Sequence, residues 1–126
     1  MSSVEINALY KSVLDIDRAQ VVICDLEHTV VYMNKSAVSI YGKNLTGSNL
    51  MNCHNSESKK RIEQVVDWFK VSPENNIIYT FRNEKLNKDV YMVALRDAEG
   101  GLIGYYEKHE FRSRESAALY DFSKSL

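Results

Sequence analysis

The chain has 126 residues, of which 44% are hydrophobic and 26% charged, and these values fit a single globular domain. Its 16 basic and 17 acidic side chains give a formal net charge of -1, so we expect neither nucleic acid nor a membrane surface as the main partner. No apolar run approaches the ~18 residues of a membrane span, no secretory signal is visible, and the two cysteines, Cys24 and Cys53, indicate a reducing, cytoplasmic location of bacterial type.

The first segment, residues 1–17, predicts an amphipathic helix. Ile6, Leu9 and Val13 recur at helical spacing and form one apolar stripe. This stripe could pack on the chain's own sheet or on a second copy in a homodimer, and the two alternatives look identical in sequence.

A β-hairpin and a short helix are predicted next. Residues 21–25 are compact and rich in β-branched side chains, and residues 30–33 form the returning strand. Asn34 is placed to cap the following helix, which Gly42 ends.

A longer helix is predicted after a stretch rich in glycine, asparagine and serine. Asn55 or Ser56 can cap it, and Pro73 ends it. Its apolar residues fall at i, i+3, i+4 and i+7, and they are Ile62, Val65, Val66 and Phe69.

The C-terminal half changes to the alternating pattern of strands. Three strands are predicted near residues 77–81, 90–95 and 102–111, with a turn at 97–101 between the last two. The tail, residues 113–126, could form a terminal helix over 115–122. Two strand groups around a helical block indicate an α+β domain with helices packed on one sheet face.

This order of elements resembles that of the PAS family. Residues 21–42 resemble the opening hairpin and first helix of PAS domains, and residues 91–107 resemble their closing hairpin. The residues that carry the resemblance are Asp25, Asn34, Gly42, Asp97, Gly101 and Gly104. The resemblance covers residues 18–112 and implies a five-stranded antiparallel sheet with helices on one face and an N-terminal cap helix. His28 stands where the family usually has glycine.

The resemblance implies a sensory function. PAS domains commonly hold a small ligand or cofactor between sheet and helices and relay its state through dimer or terminal-helix contacts. Others hold no ligand and serve as dimerisation or interaction modules. A small hydrolytic enzyme is a third alternative, but no catalytic motif is visible and we expect no enzyme. Sequence alone does not fix which strand face points inward; the candidate pocket residues are Ile23, Tyr32, Tyr41, His54, Tyr79, Tyr91 and Tyr105.

Residues 51–55 resemble a Cys-His-Pro segment of one PAS subgroup, with Asn55 in place of the proline. Haem sensors of the family use a histidine from this region, so His54 is a candidate haem ligand, and a hydrogen-bonded histidine is the alternative. Cys53 could be a redox-sensitive thiolate or a buried inert thiol. Leu50 occupies the position of the flavin-bonding cysteine of photoreceptor PAS domains, so covalent flavin chemistry is not expected. No ligand spacing predicts a metal site.

Overall fold

The computed structural model describes residues 1–124. The elements follow the predicted order. They are α1 (Ser3–Ile16), β1 (Val22–Cys24), β2 (Val30–Met33), α2 (Lys35–Tyr41), a 3-10 helix (Leu50–Cys53), α3 (Ser56–Val71), β3 (Ile77–Asn83), β4 (Lys88–Arg96) and β5 (Leu102–Phe111).

All five strands belong to one antiparallel sheet in the order β2-β1-β5-β4-β3. The N-terminal hairpin joins the C-terminal strands through two pairings, Ile23 with Tyr106 and Cys24 with Tyr105. The predicted α+β architecture with a five-stranded sheet is therefore confirmed. The two strand groups, which are far apart in sequence, form a continuous surface.

The helices begin and end where local chemistry dictates. Ser2 and Glu5 form a reciprocal capping box at the start of α1. Asn34 caps α2 by accepting a hydrogen bond from the amide of Ala37, and Gly42 ends that helix with a φ of 77°. Asn55 caps α3 by accepting from the amide of Ser58, and α3 ends two residues before Pro73.

The hydrophobic core lies between α3 and one face of the sheet, which we call the inner face. α3 contributes its four predicted apolar residues, and all of them are buried. On the sheet side they meet a cluster that includes Cys24, Met92 and Tyr105, each almost completely buried. The opposite face of the sheet is the outer face.

Two aspartates organise tight turns. The Asp25 carboxylate accepts hydrogen bonds from the amides of Glu27 and Thr29 in the β1–β2 turn. The Asp97 carboxylate accepts from the amides of Glu99 and Gly101 in the β4–β5 turn. These side-chain bonds replace backbone pairings that the turns cannot make.

The tail differs from the expectation. Residues 113–124 form turns and extended chain without a helix, so the helix considered over 115–122 is not formed in the described part of the tail. Its apolar side chains, Leu119, Tyr120 and Phe122, are all strongly exposed. A short segment with few apolar residues and no partner surface gains too little burial to offset the cost of helix nucleation.

Gly104 allows the two strand groups to approach closely, and this generates a first prediction. A Cβ atom at this position would lie 2.5 Å from the carbonyl oxygen of Cys24. Because that atom is backbone, Gly104→Ala must separate β5 from β1, and we expect a loss of about 1–3 kcal/mol in the free energy of unfolding. Urea denaturation measures it. Ile103→Ala, at an exposed neighbouring position, is the control and should cost less than about 1 kcal/mol. Equal losses for the two variants would contradict the steric explanation.

Candidate ligand-binding site

Strand register decides which predicted pocket residues reach the inner face. Residues directly opposite each other in an antiparallel sheet share a face. Tyr79 pairs with Tyr91, and Ile23 pairs with Tyr32. Tyr91 precedes Met92, which is buried in the core, so Tyr91 must point the other way.

Four of the seven candidates therefore lie on the outer face, and the expectation that they line a pocket is wrong. They are Ile23, Tyr32, Tyr79 and Tyr91. The period of two in the sequence predicts two faces but does not say which of them the helices cover. On the outer face, Tyr79 donates a hydrogen bond to Asp89, and Arg112 donates to Asp89 and to Tyr91.

Tyr32 connects the outer face to α1. Its hydroxyl donates a hydrogen bond to the carboxylate of Asp15 in the last turn of α1. Burial, and then this bond, raise the pKa of Tyr32 to about 12. The ammonium of Lys11 and the Tyr32 hydroxyl both bond Asp15 and lower the pKa of that carboxyl.

The other three candidates, Tyr41, His54 and Tyr105, do come together on the inner face. With Val22 and Leu50 they border a small cavity between the sheet, α2 and the 3-10 helix. Its volume is about 20 Å³, which is room for about one water molecule. This part of the interior is nearly filled by protein side chains.

A wider cleft lies beside the cavity and is open to solvent. Its volume is about 240 Å³. Gln20, Glu107 and His109 border both spaces. The remaining residues of the cleft come from α3, β3 and β4, and they are Arg61, Phe81, Asn83, Lys88 and Val90. The cleft therefore combines an apolar floor with several charged groups.

Lys88 and His109 are unusual because they are polar but almost completely buried. Lys88 is 5% exposed, and its ammonium has Gln20 Oε1 at 3.3 Å and the Phe111 ring at 5.5 Å. The His109 side chain is 7% exposed, with Nε2 3.6 Å from Glu107 Oε2. Within residues 1–124, His109 Nδ1 is buried without a hydrogen-bond partner.

Sequence reasoning missed these cleft residues although a signal was present. Lys88 has the same strand parity as the buried Val90 and Met92, and Glu107 and His109 have the parity of the buried Tyr105. A charged residue at a core-facing position of an alternating strand is the pattern that would have indicated them.

The structure gives His54 a defined partner. Its Nδ1 lies 2.9 Å from the carbonyl oxygen of Leu50. A carbonyl only accepts, so Nδ1 donates this hydrogen bond, and Nε2 is the ring nitrogen that is not engaged in it. The cavity beside His54 nevertheless does not fit haem, because pockets for molecules of that size enclose hundreds of cubic ångströms and this one holds about 20 Å³.

Tyr105, which borders the cavity, forms a hydrogen bond with His28 in the turn between β1 and β2. Tyr105 is buried, and its hydroxyl lies 2.7 Å from Nδ1 of His28. His28 has a φ of 66°, a conformation that costs an L-residue about 1–2 kcal/mol and that glycine adopts freely. The His28 imidazole therefore gives the Tyr105 hydroxyl a hydrogen-bond partner, which a glycine at this position could not provide.

A family model described as PAS domain matches residues 19–107. The chain belongs to the PAS domain family. Solved structures with the same fold include a C-terminal domain from Streptococcus mutans, with a TM-score of 0.65, 19% identity, and coverage of 83% of this chain and 84% of that one. No significant match was found among curated protein sequences.

Two further solved structures are similar. The PAS domain of a protein from Colwellia psychrerythraea has a TM-score of 0.63 and 13% identity over 84% of this chain and 96% of that chain. A sensory box sensor histidine kinase structure from Vibrio cholerae has a TM-score of 0.56 and 12% identity, over 85% of this chain and 89% of that chain. At these identities the similarity shows the fold.

Two kinds of feature are absent from residues 1–124 of this PAS domain, namely a cluster of metal-ligating side chains and a membrane-spanning helix. Residues 1–124 contain no group of three or more histidine, cysteine or acidic side chains placed to hold a metal ion. None of the helices described there has the length and apolar character that a bilayer crossing requires.

The two thiols of the PAS domain have opposite environments. Cys24 is buried in the core, and Cys53 is exposed, so the alternative in which Cys53 is buried is wrong. The 3-10 helix containing Cys53 is anchored by Leu50, which is the residue of that turn that points inward. Burial raises the pKa of Cys24 to about 11.

This difference predicts selective alkylation. At pH 8 only about one Cys24 in a thousand is a thiolate, and the thiolate is the nucleophile. Iodoacetamide should therefore modify Cys53 at least ~100-fold faster than Cys24, as measured by peptide mass spectrometry over time. In Cys53→Ser the folded protein should remain almost unmodified, and denaturant should release the reactivity of Cys24. Comparable rates for both thiols in the folded protein would contradict the burial of Cys24.

Proposed function

We propose that this PAS domain is a sensory module that binds a small ligand at the inner face of its sheet and relays the bound state to a partner. The observation that carries the proposal is the solvent-open cleft beside the core cavity, which brings buried polar side chains together with apolar ones. Such a combination is typical of small-molecule sites. The sensor histidine kinase structure with the same fold is consistent with a signalling role.

The relay would run through the last turn of α1. The side-chain Nδ2 of Asn34 donates to the carbonyl oxygens of Leu14 and Ala19, and the Tyr32 hydroxyl donates to the carboxylate of Asp15. These bonds attach the end of α1 to the sheet, while no residue of α1 is buried. A ligand can shift this arrangement only if it binds two packing states with unequal affinity.

Dimerisation through α1 is the form of output that we favour. Ile6, Leu9, Val13 and Ile16 are spaced 3, 4 and 3 residues apart, which is the seam spacing of paired helices. Leu9, Val13 and Ile16 are 50%, 68% and 83% exposed. Ile6 is partly buried, but Leu9, Val13 and Ile16 are left uncovered by the chain's own sheet, so a second copy is the partner that we propose. A ligand-free interaction module using the same stripe is the second candidate function.

We infer that the domain binds rather than catalyses. The cleft does place two titratable groups together, because Glu107 Oε2 lies 3.6 Å from His109 Nε2. Among the described residues that border the cavity and the cleft, however, there is no serine, threonine or cysteine to act as a nucleophile. We also propose a cytoplasmic location, since Cys24 and Cys53 are both free thiols.

Native mass spectrometry of the purified protein tests both parts of the proposal. We expect a dimer that carries a bound small molecule. Leu9→Glu places a charge in the exposed stripe, so it should convert the dimer to monomers that still carry the small molecule. Ala8→Glu introduces the same charge on α1 outside the stripe and should leave the dimer intact.

Each part can fail separately. A monomeric wild-type protein would contradict the proposed dimerisation through α1. A dimer that carries no small molecule, and that gains none from a cell extract, would remove the sensor function in favour of the ligand-free interaction module.

A further inference from the structure

The buried charge of Lys88 requires an explanation. An ammonium group removed from water is strongly destabilising unless a carboxylate or several hydrogen-bond acceptors compensate it. Within residues 1–124, Lys88 makes no ion pair, and its one side-chain hydrogen bond, to Gln20, is long at 3.3 Å. The described part of the chain therefore holds a cation at the inner face without a counter-ion.

Two more nitrogen groups border the same cleft. His109 lies diagonally opposite Lys88 on the neighbouring strand, because Val90 pairs with His109 and Lys88 pairs with Phe111. Its Nδ1 is buried and has no partner among the described residues. Arg61 borders the cleft from α3 and, within residues 1–124, forms neither an ion pair nor a side-chain hydrogen bond.

The charges in the cleft favour an anion with a single negative charge. Among residues 1–124, Lys88 and Arg61 are the cations that border the cleft, and Glu107 is the one acid. The sum is positive by one even when His109 is neutral. Glu107 would repel a second negative charge on a ligand, so dianions are disfavoured.

We propose that the cleft binds the carboxylate group of a small organic acid. Lys88 Nζ and the Arg61 guanidinium would donate to the two carboxylate oxygens, and His109 donates from Nδ1 when that nitrogen carries the proton. The carbon chain of the acid would pack on Phe81 and Val90, the apolar residues of the cleft. The volume of about 240 Å³ lies just below the ~300–1,000 Å³ of pockets for drug-sized ligands, so it suits a smaller molecule. This inference rests on the proposed function and specifies its ligand class.

Hexanoate is a suitable probe, and hexan-1-ol is the uncharged analogue that serves as its control. Titration of ¹⁵N-labelled protein followed by NMR should show saturable shifts at Lys88, His109 and Arg61 with hexanoate. Hexan-1-ol has the same chain without the charge and should bind at least ten-fold more weakly. Inorganic phosphate, which is largely dianionic at pH 7.5, should also bind at least ten-fold more weakly.

Variants of the cleft identify the residues responsible. Lys88→Met keeps the length of the side chain but removes the charge, so it should fold and lose at least ten-fold in affinity for hexanoate. Arg61→Gln, at an exposed position, should weaken binding as well. Lys60→Gln removes a charge from the same helix outside the cleft and should leave the affinity unchanged within two-fold.

The outcomes separate this inference from the proposed function. Equal binding of hexanoate and hexan-1-ol, or an unchanged affinity in Lys88→Met, would overturn the carboxylate site. If native mass spectrometry nevertheless found another small molecule on the protein, the sensor function would stand without the carboxylate site. Charge-dependent binding of hexanoate that leaves the oligomeric state unchanged would support the carboxylate site and count against the relay.

Discussion

The fold depends on one buried side-chain amide, that of Asn34. Its oxygen accepts hydrogen bonds from the amides of Val21 and Ala37, and its nitrogen donates to the carbonyl oxygens of Leu14 and Ala19. A single residue therefore connects the end of α1, the entry to β1 and the start of α2. Asparagine suits this position because it supplies acceptor and donor groups on one rigid side chain.

This connection determines how the two halves of the PAS domain are joined. α1 is attached to the β1–β2 hairpin, whereas the cleft is built mainly on β3, β4 and β5. The hairpin reaches β5 through only two residue pairs, and Gly104 permits their close approach. The hydroxyl of Tyr105 adds a side-chain bond from β5 to His28 in the hairpin turn. In the relay that we propose, a change at the inner face would reach α1 through these few contacts.

Sequence patterns predicted the fold well and the site only in part. The helical spacing of α3 identified its buried residues because one helix face must be apolar. Strand alternation could not show which face was inner, so Tyr79 and Tyr91 were misplaced while Tyr105 was correctly placed. Lys88 and His109 were missed, because a charged strand residue is usually solvent-exposed. Their strand parity with Val90 and Tyr105 was the available signal, and it could be interpreted only once packing had shown which face was inner.

The most direct test of the role of Asn34 is amide hydrogen exchange in Asn34→Asp. Aspartate caps helices as well as asparagine does, but it cannot donate to Leu14 and Ala19. Losing these bonds costs about 1–3 kcal/mol, so exchange in the last turn of α1 should accelerate at least ~10-fold while the first turn of α2 stays protected. Unchanged exchange in α1, or a uniform acceleration throughout the domain, would contradict the connection described here.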